Sequence, residues 1–143
     1  MADTDAAPTA PTAEDRIREY YEALRSGEPL APFFAETPSA VKYGITEKLS
    51  GFAEIEAGLR AQTESTEHWA VESRDLRVTE RGDHAWFADD VRLAWEDATT
   101  DRAFDFDTRW SGTLERRRRG EGAVRWQFVG MHVSAVPETE LAE

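Results

Sequence analysis

Polar and apolar residues alternate with a period of two through most of the second half of the chain. From 102 to 118, Phe104, Phe106, Trp110 and Leu114 share one parity, and Asp105, Asp107, Arg109 and Ser111 take the other. That is the pattern of a strand with two different faces. From 124 to 135, Val124, Trp126, Phe128, Gly130, His132 and Ser134 fall on one parity, and Arg125, Gln127, Val129, Met131 and Val133 on the other. Both sets are partly apolar, which predicts a strand covered on both sides. A charged, glycine-rich reversal joins these two strands into a hairpin. Upstream, residues 85–96 place Phe87, Val91, Leu93 and Trp95 on one parity, with Asp89 among them, and Trp86, Asp90 and Arg92 on the other. Before that, Trp69 and Val71 share a parity that Leu76 and Val78 do not, which predicts a bulge or bend near 73–75. Residues 81–84 and 97–101 read as turns.

The first half has a helical period. Ile17, Tyr20, Tyr21 and Leu24 fall at i, i+3, i+4 and i+7, one apolar stripe. Thr12 with Asp15 resembles a capping box in front of it, and Gly27 ends it. Pro29 and Pro32 predict a short second helix through Leu30, Phe33 and Phe34. Residues 40–46 read as a short strand with Val41, Tyr43 and Ile45 on one face and Lys42 and Gly44 on the other. Ser50 is the expected cap of a third helix that buries Phe52, Ile55 and Leu59. The fold class expected from this order is α+β: three N-terminal helices packed on one strongly curved, mostly antiparallel sheet. Such a sheet, closed by helices, forms a cone with a pocket at its wide end. Residues 1–12 hold no large apolar side chain except the initial Met and read as a disordered leader, 13–136 as one domain, and 137–143 as an acidic tail.

Composition narrows the setting. The 143 residues are 40% hydrophobic and contain no cysteine, which removes disulfides, thiolate nucleophiles and thiolate metal sites. No apolar run approaches the ~20 residues that span a bilayer, and no secretory signal opens the chain. A cytoplasmic protein is expected. Acidic residues outnumber basic ones 29 to 17, and the basic ones are arginines except for Lys42 and Lys48. A net charge of −12 argues against nucleic acid or an anionic membrane as a partner. A lysine-poor acidic surface is also what a salt-rich cytosol favours.

The candidate chemistry is acid–base chemistry. His132 stands near the end of the last strand, where an imidazole facing the cavity could serve as a general base. Asp89 has apolar parity partners, so it faces inward beside a cation such as Arg109, or a bulge turns it out and brings Asp90 in. Either aspartate with His132 would make an acid–base dyad. Tyr20, Tyr43, Trp69, Trp86 and Trp110 are candidates for an aromatic ligand pocket, with Arg109 as a polar contact. The run Arg116–Arg119 reads as a solvated hairpin tip. Histidines and acids show no metal-ligand spacing on a single element, and phosphate-binding loops and serine elbows are absent, so neither metal nor cofactor is expected.

Three stretches carry a family resemblance: YYEALRSGEPLAPFF, GFAEIEAGLRA and RWSGTLERRRRGEGAVRWQFVGMHVS. In their order and spacing, residues 14–136 resemble the SnoaL-like branch of the nuclear-transport-factor-2-like superfamily, which includes polyketide cyclases, ketosteroid isomerases and dehydratases. The resemblance implies the α+β cone, a small-molecule pocket between helices and sheet, and a homodimer through the outer sheet face. Tyr20 matches the helix-1 tyrosine of the isomerases. Their carboxylate base falls near Tyr43 and their second acid near Trp110 or Ser111, where this chain has no carboxyl group. Cyclases of this branch pair a last-strand acid with a histidine; here the last strand offers His132 alone. The implied function is binding of a small, largely apolar molecule, with isomerase, cyclase or dehydratase chemistry or with none.

Overall fold

The computed structural model describes residues 11–118 and 122–137. The leader up to residue 10, Arg119 at the hairpin tip and the tail from 138 lie outside them. Helix α1 (Ala13–Ser26) starts at a complete capping box: Asp15 N–H donates to Thr12 Oγ1 and Thr12 N–H donates to the Asp15 carboxylate. It ends at Gly27 in the left-handed conformation, whose N–H meets the carbonyls of Ala23 and Leu24. Its stripe, Ile17, Tyr20, Tyr21 and Leu24, is buried.

The second predicted helix does not form. Residues Ala31–Phe33 make a single 3₁₀ turn, so the described residues form two α-helices, not three. Two prolines within four residues explain this, because each removes an N–H that a longer helix would need. Strand β1 (Val41–Tyr43) is followed by a strand absent from the sequence reading, β2 (Lys48–Ser50), and the two pair antiparallel. Helix α2 (Phe52–Ser65) is capped by Gly51 rather than Ser50. It packs Ile55 and Leu59 into the core.

Then come β3 (Thr66–Ser73), β4 (Arg77–Arg81), β5 (His84–Asp97), β6 (Ala103–Arg118) and β7 (Val124–Ala135). The sheet order is β2-β1-β7-β6-β5-β3, with β4 also on β5. All pairs are antiparallel except β1 on β7. The parity change foreseen near 73–75 is the break between β3 and β4, which pair with successive stretches of β5.

A second irregularity decides the site. Leu114 pairs with Phe128, but Thr113 pairs with Gly130, so Val129 is an extra residue in β7. A bulge of one residue exchanges the two faces of the strand beyond it. Trp126 and Phe128 are buried before it, and Met131 and Val133 after it. His132 therefore sits on the opposite face from Phe128, although the two share a parity in the sequence.

The bend needs Gly112. A Cβ there would lie 2.4 Å from the Gly130 carbonyl oxygen and 2.9 Å from the Phe87 ring. Neither backbone nor a buried ring can retreat cheaply, so Gly112→Ala is expected to cost about 2–3 kcal/mol. A urea melt measures it, and an unchanged midpoint with an unchanged slope would show that the strands have room to part.

Candidate functional site

Between the helices and the concave face of the sheet lies a cavity of about 370 Å³. Tyr20 and Leu24 of α1, Trp69 of β3, Trp95 of β5, Trp110 of β6 and Val133 of β7 give it an apolar wall. Two of the indoles are already satisfied. Trp69 Nε1 donates to Thr66 Oγ1 at 2.9 Å, and Trp110 Nε1 donates to Thr108 Oγ1 at 2.9 Å, so these rings offer the cavity carbon surface. Trp69 stacks on Trp95 with centroids 4.8 Å apart, and Trp95 in turn stacks on Phe104 at 5.1 Å. This aromatic series leads out of the cavity along β6.

The polar side of the cavity is built by the β1–β2 hairpin. Lys42 turns inward, and its side chain is only 6% exposed; its Nζ donates to Glu47 Oε1 at 2.5 Å. Glu47, 30% exposed, also lines the cavity. Gly44 makes this possible. Its N–H donates to the Glu47 carbonyl at 3.0 Å, closing the turn, and the Glu47 side chain folds back over it. A Cβ on residue 44 would stand 2.8 Å from Glu47 Cγ and 2.9 Å from Oε1, so any larger residue displaces the carboxylate.

Tyr20 faces the same side. It is 2% exposed and lines the cavity, packed edge-on against Phe33, Phe128 and Trp110. Its hydroxyl has no hydrogen-bond partner among the described residues. A buried hydroxyl without a partner costs free energy, and one that opens on a cavity is placed to meet a ligand. Burial, and then the negative charge of Glu47, push the phenol well above its ordinary pKa. It stays a neutral donor at any working pH.

The residues singled out from the sequence separate into three groups. Tyr20, Trp69 and Trp110 line the cavity. Asp89 points inward and is buried, but it is not part of the cavity wall. Its carboxylate accepts from Tyr21 Oη at 2.7 Å, from Ser73 Oγ at 2.6 Å and from Asp75 N–H at 3.0 Å. Burial, and after it the bond to Asp89, raise the Tyr21 phenol far above its usual range.

His132, Tyr43, Trp86, Asp90 and Arg109 correct the reading. All five are exposed on the convex face, with the sheet between them and the cavity. The Val129 bulge turned His132 out, where its ring stands edge-on to Tyr43 at 5.9 Å. Tyr43 follows because β1 runs parallel to β7 with Tyr43 opposite His132. Asp90 and Arg109 pair in register on that same face, so Arg109 does not serve Asp89, and no aspartate among the described residues forms a dyad with His132.

Sequence reasoning missed Lys42 and Glu47. An apolar Val41 and Tyr43 made their face look like the inner one. The one available signal was composition: a lysine inside a strand of a chain that otherwise uses arginine. A further group lies at the surface. His68 Nδ1 is 3.1 Å from Glu96 Oε1 and 3.9 Å from Glu67 Oε2. The hydrogen bond to Glu96 and both carboxylate charges raise the His68 pKa. These three exposed residues bring ligand atoms within 4.8 Å of one another, a geometry that could hold a cation. No helix among the described residues is long and apolar enough to cross a membrane.

Comparison with known proteins agrees with the cone. No curated protein matches. Among solved structures, a nuclear-transport-factor-2-like superfamily protein from Salmonella enterica serovar Typhimurium superposes with a TM-score of 0.73 at 15% identity, over 90% of this chain and 92% of that one. A protein proposed to be a dehydratase of the same family, from Streptomyces avermitilis, gives 0.70 at 18% identity over 85% and 91%. A ketosteroid isomerase-like protein from Erwinia carotovora atroseptica gives 0.68 at 15% over 87% and 93%. At these identities the likeness concerns the fold. The model of the SnoaL-like domain matches residues 13–138, and the chain belongs to that family.

Proposed function

We propose that the cone binds a small, largely apolar carbonyl compound and moves a proton next to its carbonyl group. One observation carries this reading: buried Tyr20, whose hydroxyl has no hydrogen-bond partner among the described residues, lines an aromatic cavity together with Glu47 and Lys42. The indole faces bind the hydrocarbon body. Tyr20 donates to the carbonyl oxygen and stabilises the negative charge that collects there as a neighbouring C–H loses its proton. Glu47, held in place by Lys42 and by the turn at Gly44, receives that proton. Isomerisation, dehydration and cyclisation all begin with this step, and relatives described as a dehydratase and as isomerase-like support it.

The reading is tested with 2-tetralone and its hydrocarbon counterpart tetralin. Tyr20→Phe is expected to weaken the ketone about tenfold, the worth of a net hydrogen bond, and to leave the hydrocarbon unchanged. Calorimetry that found both ligands equally affected, or the ketone no tighter than the hydrocarbon in the natural protein, would remove the carbonyl from the proposal.

A second reading concerns the convex face. Trp86 is 47% exposed and Tyr43 36%, and both lie on the side that the family resemblance assigns to dimerisation. We place a homodimer contact there, with or without catalysis in the cone. Sedimentation at rising concentration should show a dimer that Trp86→Glu dissociates; a monomer throughout excludes it.

A further inference from the structure

Lys42 is chemically out of character for this chain. Elsewhere the protein draws its cations from arginine: ion pairs on α1, α2 and the sheet include those of Arg16, Arg18, Arg25, Arg60, Arg74, Arg77, Arg92 and Arg117. Of the 17 basic residues only Lys42 and Lys48 are lysines. One of the two is the basic residue that lines the cavity. An arginine would serve a purely electrostatic pairing with Glu47 at least as well, through a two-pronged contact. It could not give up its proton. A lysine can, and a desolvated lysine beside a proton acceptor is what amine chemistry at a carbonyl requires.

We infer that Lys42 condenses with a carbonyl ligand in the cavity to form a Schiff base. The inference rests on the reading that the cone takes a carbonyl compound. Three features of the site support it. The Lys42 side chain is buried and lines the cavity, and its Nζ has one hydrogen bond, to Glu47, among the described residues. The other two donor positions of an ammonium are left for the cavity. The acceptor of that one bond, Glu47, is partly exposed on the same wall.

The step balances within the site. The ammonium passes one proton to the Glu47 carboxylate. The free amine attacks the carbonyl carbon, a C–N bond forms, and the carbonyl oxygen becomes the hydroxyl of a carbinolamine after taking up a proton from the attacking nitrogen. The Glu47 carboxyl returns its proton to that hydroxyl, the C–O bond breaks, and water leaves. The product is a protonated iminium next to an ionised Glu47, with the same net charge as the starting pair and no oxidant or reductant consumed. An iminium draws electrons from the adjacent carbon more strongly than a hydrogen-bonded carbonyl does. The same Glu47 can then remove a proton there, or a neighbouring C–C bond can open, which adds retro-aldol and decarboxylation reactions to what the cavity can perform.

The test uses the full-length protein, 2-tetralone and cyanoborohydride, followed by digestion and mass spectrometry. Lys48, exposed on β2, is the internal control. The expected result is a reduced adduct at Lys42 at least tenfold above that at Lys48. Lys42→Arg, which keeps the cation beside Glu47, should melt near the natural protein, still bind 2-tetralone by calorimetry, and give no adduct. Binding without an adduct at Lys42, or equal labelling of both lysines, overturns the Schiff base and leaves the functional reading standing. If 2-tetralone does not bind at all, the functional reading falls and takes this inference with it.

Discussion

Asp89→Ala should lower the stability of the protein by about 3–5 kcal/mol, because it strands several buried donors at once. Asp89 is 4% exposed and Tyr21 is 1% exposed. The mutation would leave the Tyr21 hydroxyl, the Ser73 hydroxyl and the Asp75 N–H without their acceptor, and a stranded buried donor costs about 1–3 kcal/mol. The network also ties three elements together: α1 through Tyr21, the end of β3 through Ser73, and the break before β4 through Asp75. Melting should fall by roughly 10–20 °C for a chain of this size. Asp89→Asn, which keeps one acceptor oxygen, should lose less, and Tyr21→Phe about 1.5–3 kcal/mol, the size of one hydrogen bond to a charged group. A double-mutant cycle between the last two should show coupling, because the two residues share a bond. A loss below about 1 kcal/mol for Asp89→Ala would mean that water takes over the acceptor's place and that the carboxylate is not a structural anchor.

How far the site could be read from the sequence depended on which elements keep a constant period. Helix α1 has its cap, stripe and terminator written locally, and all three are where the pattern put them. Strands β5 and β6 alternate without interruption through the cavity wall, so Trp110 and Leu93 were legible as inward residues. Strand β7 was not, because the bulge at Val129 depends on how β6 pairs with it, and no residue in β7 announces that. The change of parity moved His132 from the inner face to the outer one. Strand β1 failed for a different reason. Its two apolar residues lie on the outer face, so the usual rule that the apolar side is the buried side pointed the wrong way, and it hid Lys42. Asp89 was legible as an inward acid. Its role was not, since its donors come from residues 14 to 68 positions away.

Structure and chemistry meet at the β1–β2 hairpin. A cone of this kind needs a strand beside β7 to close its wall, and β1 is that strand, with β2 outside it at the edge of the sheet. Any residue of β1 that faces inward reaches the cavity, and here it is a lysine. The charge could not stay there alone, because an unpaired buried ammonium is costly. The turn supplies the counter-charge by the shortest route, folding Glu47 back across Gly44. The closure of the wall and the assembly of an acid–base pair are therefore one event. Helix α1 then brings in Tyr20 from the opposite side, with its aromatic neighbours holding the ring. The three polar groups come from separate elements that fold onto one cavity.

If that assembly is an acid–base site, Glu47→Gln should slow exchange of the α-protons of 2-tetralone with deuterated water by about 10²–10⁴-fold, the usual contribution of a placed general base. Glutamine keeps the length and shape of the side chain and can still accept a bond from Lys42, so ligand affinity should change by no more than a few fold. Calorimetry measures that separately from the exchange seen by proton spectroscopy. Gly44→Ala supplies the complementary change. It retains the carboxylate but pushes it from its seat, since a Cβ would meet Glu47 Cγ at 2.8 Å. Its exchange rate should fall between those of the natural protein and Glu47→Gln, because misplacement of a catalytic group by about 1 Å already costs about 10²-fold. His132→Ala, on the outer face, should exchange at the natural rate. Were Glu47→Gln to exchange as fast as the natural protein, the proton would be leaving by another route and the cavity would be a binding site only.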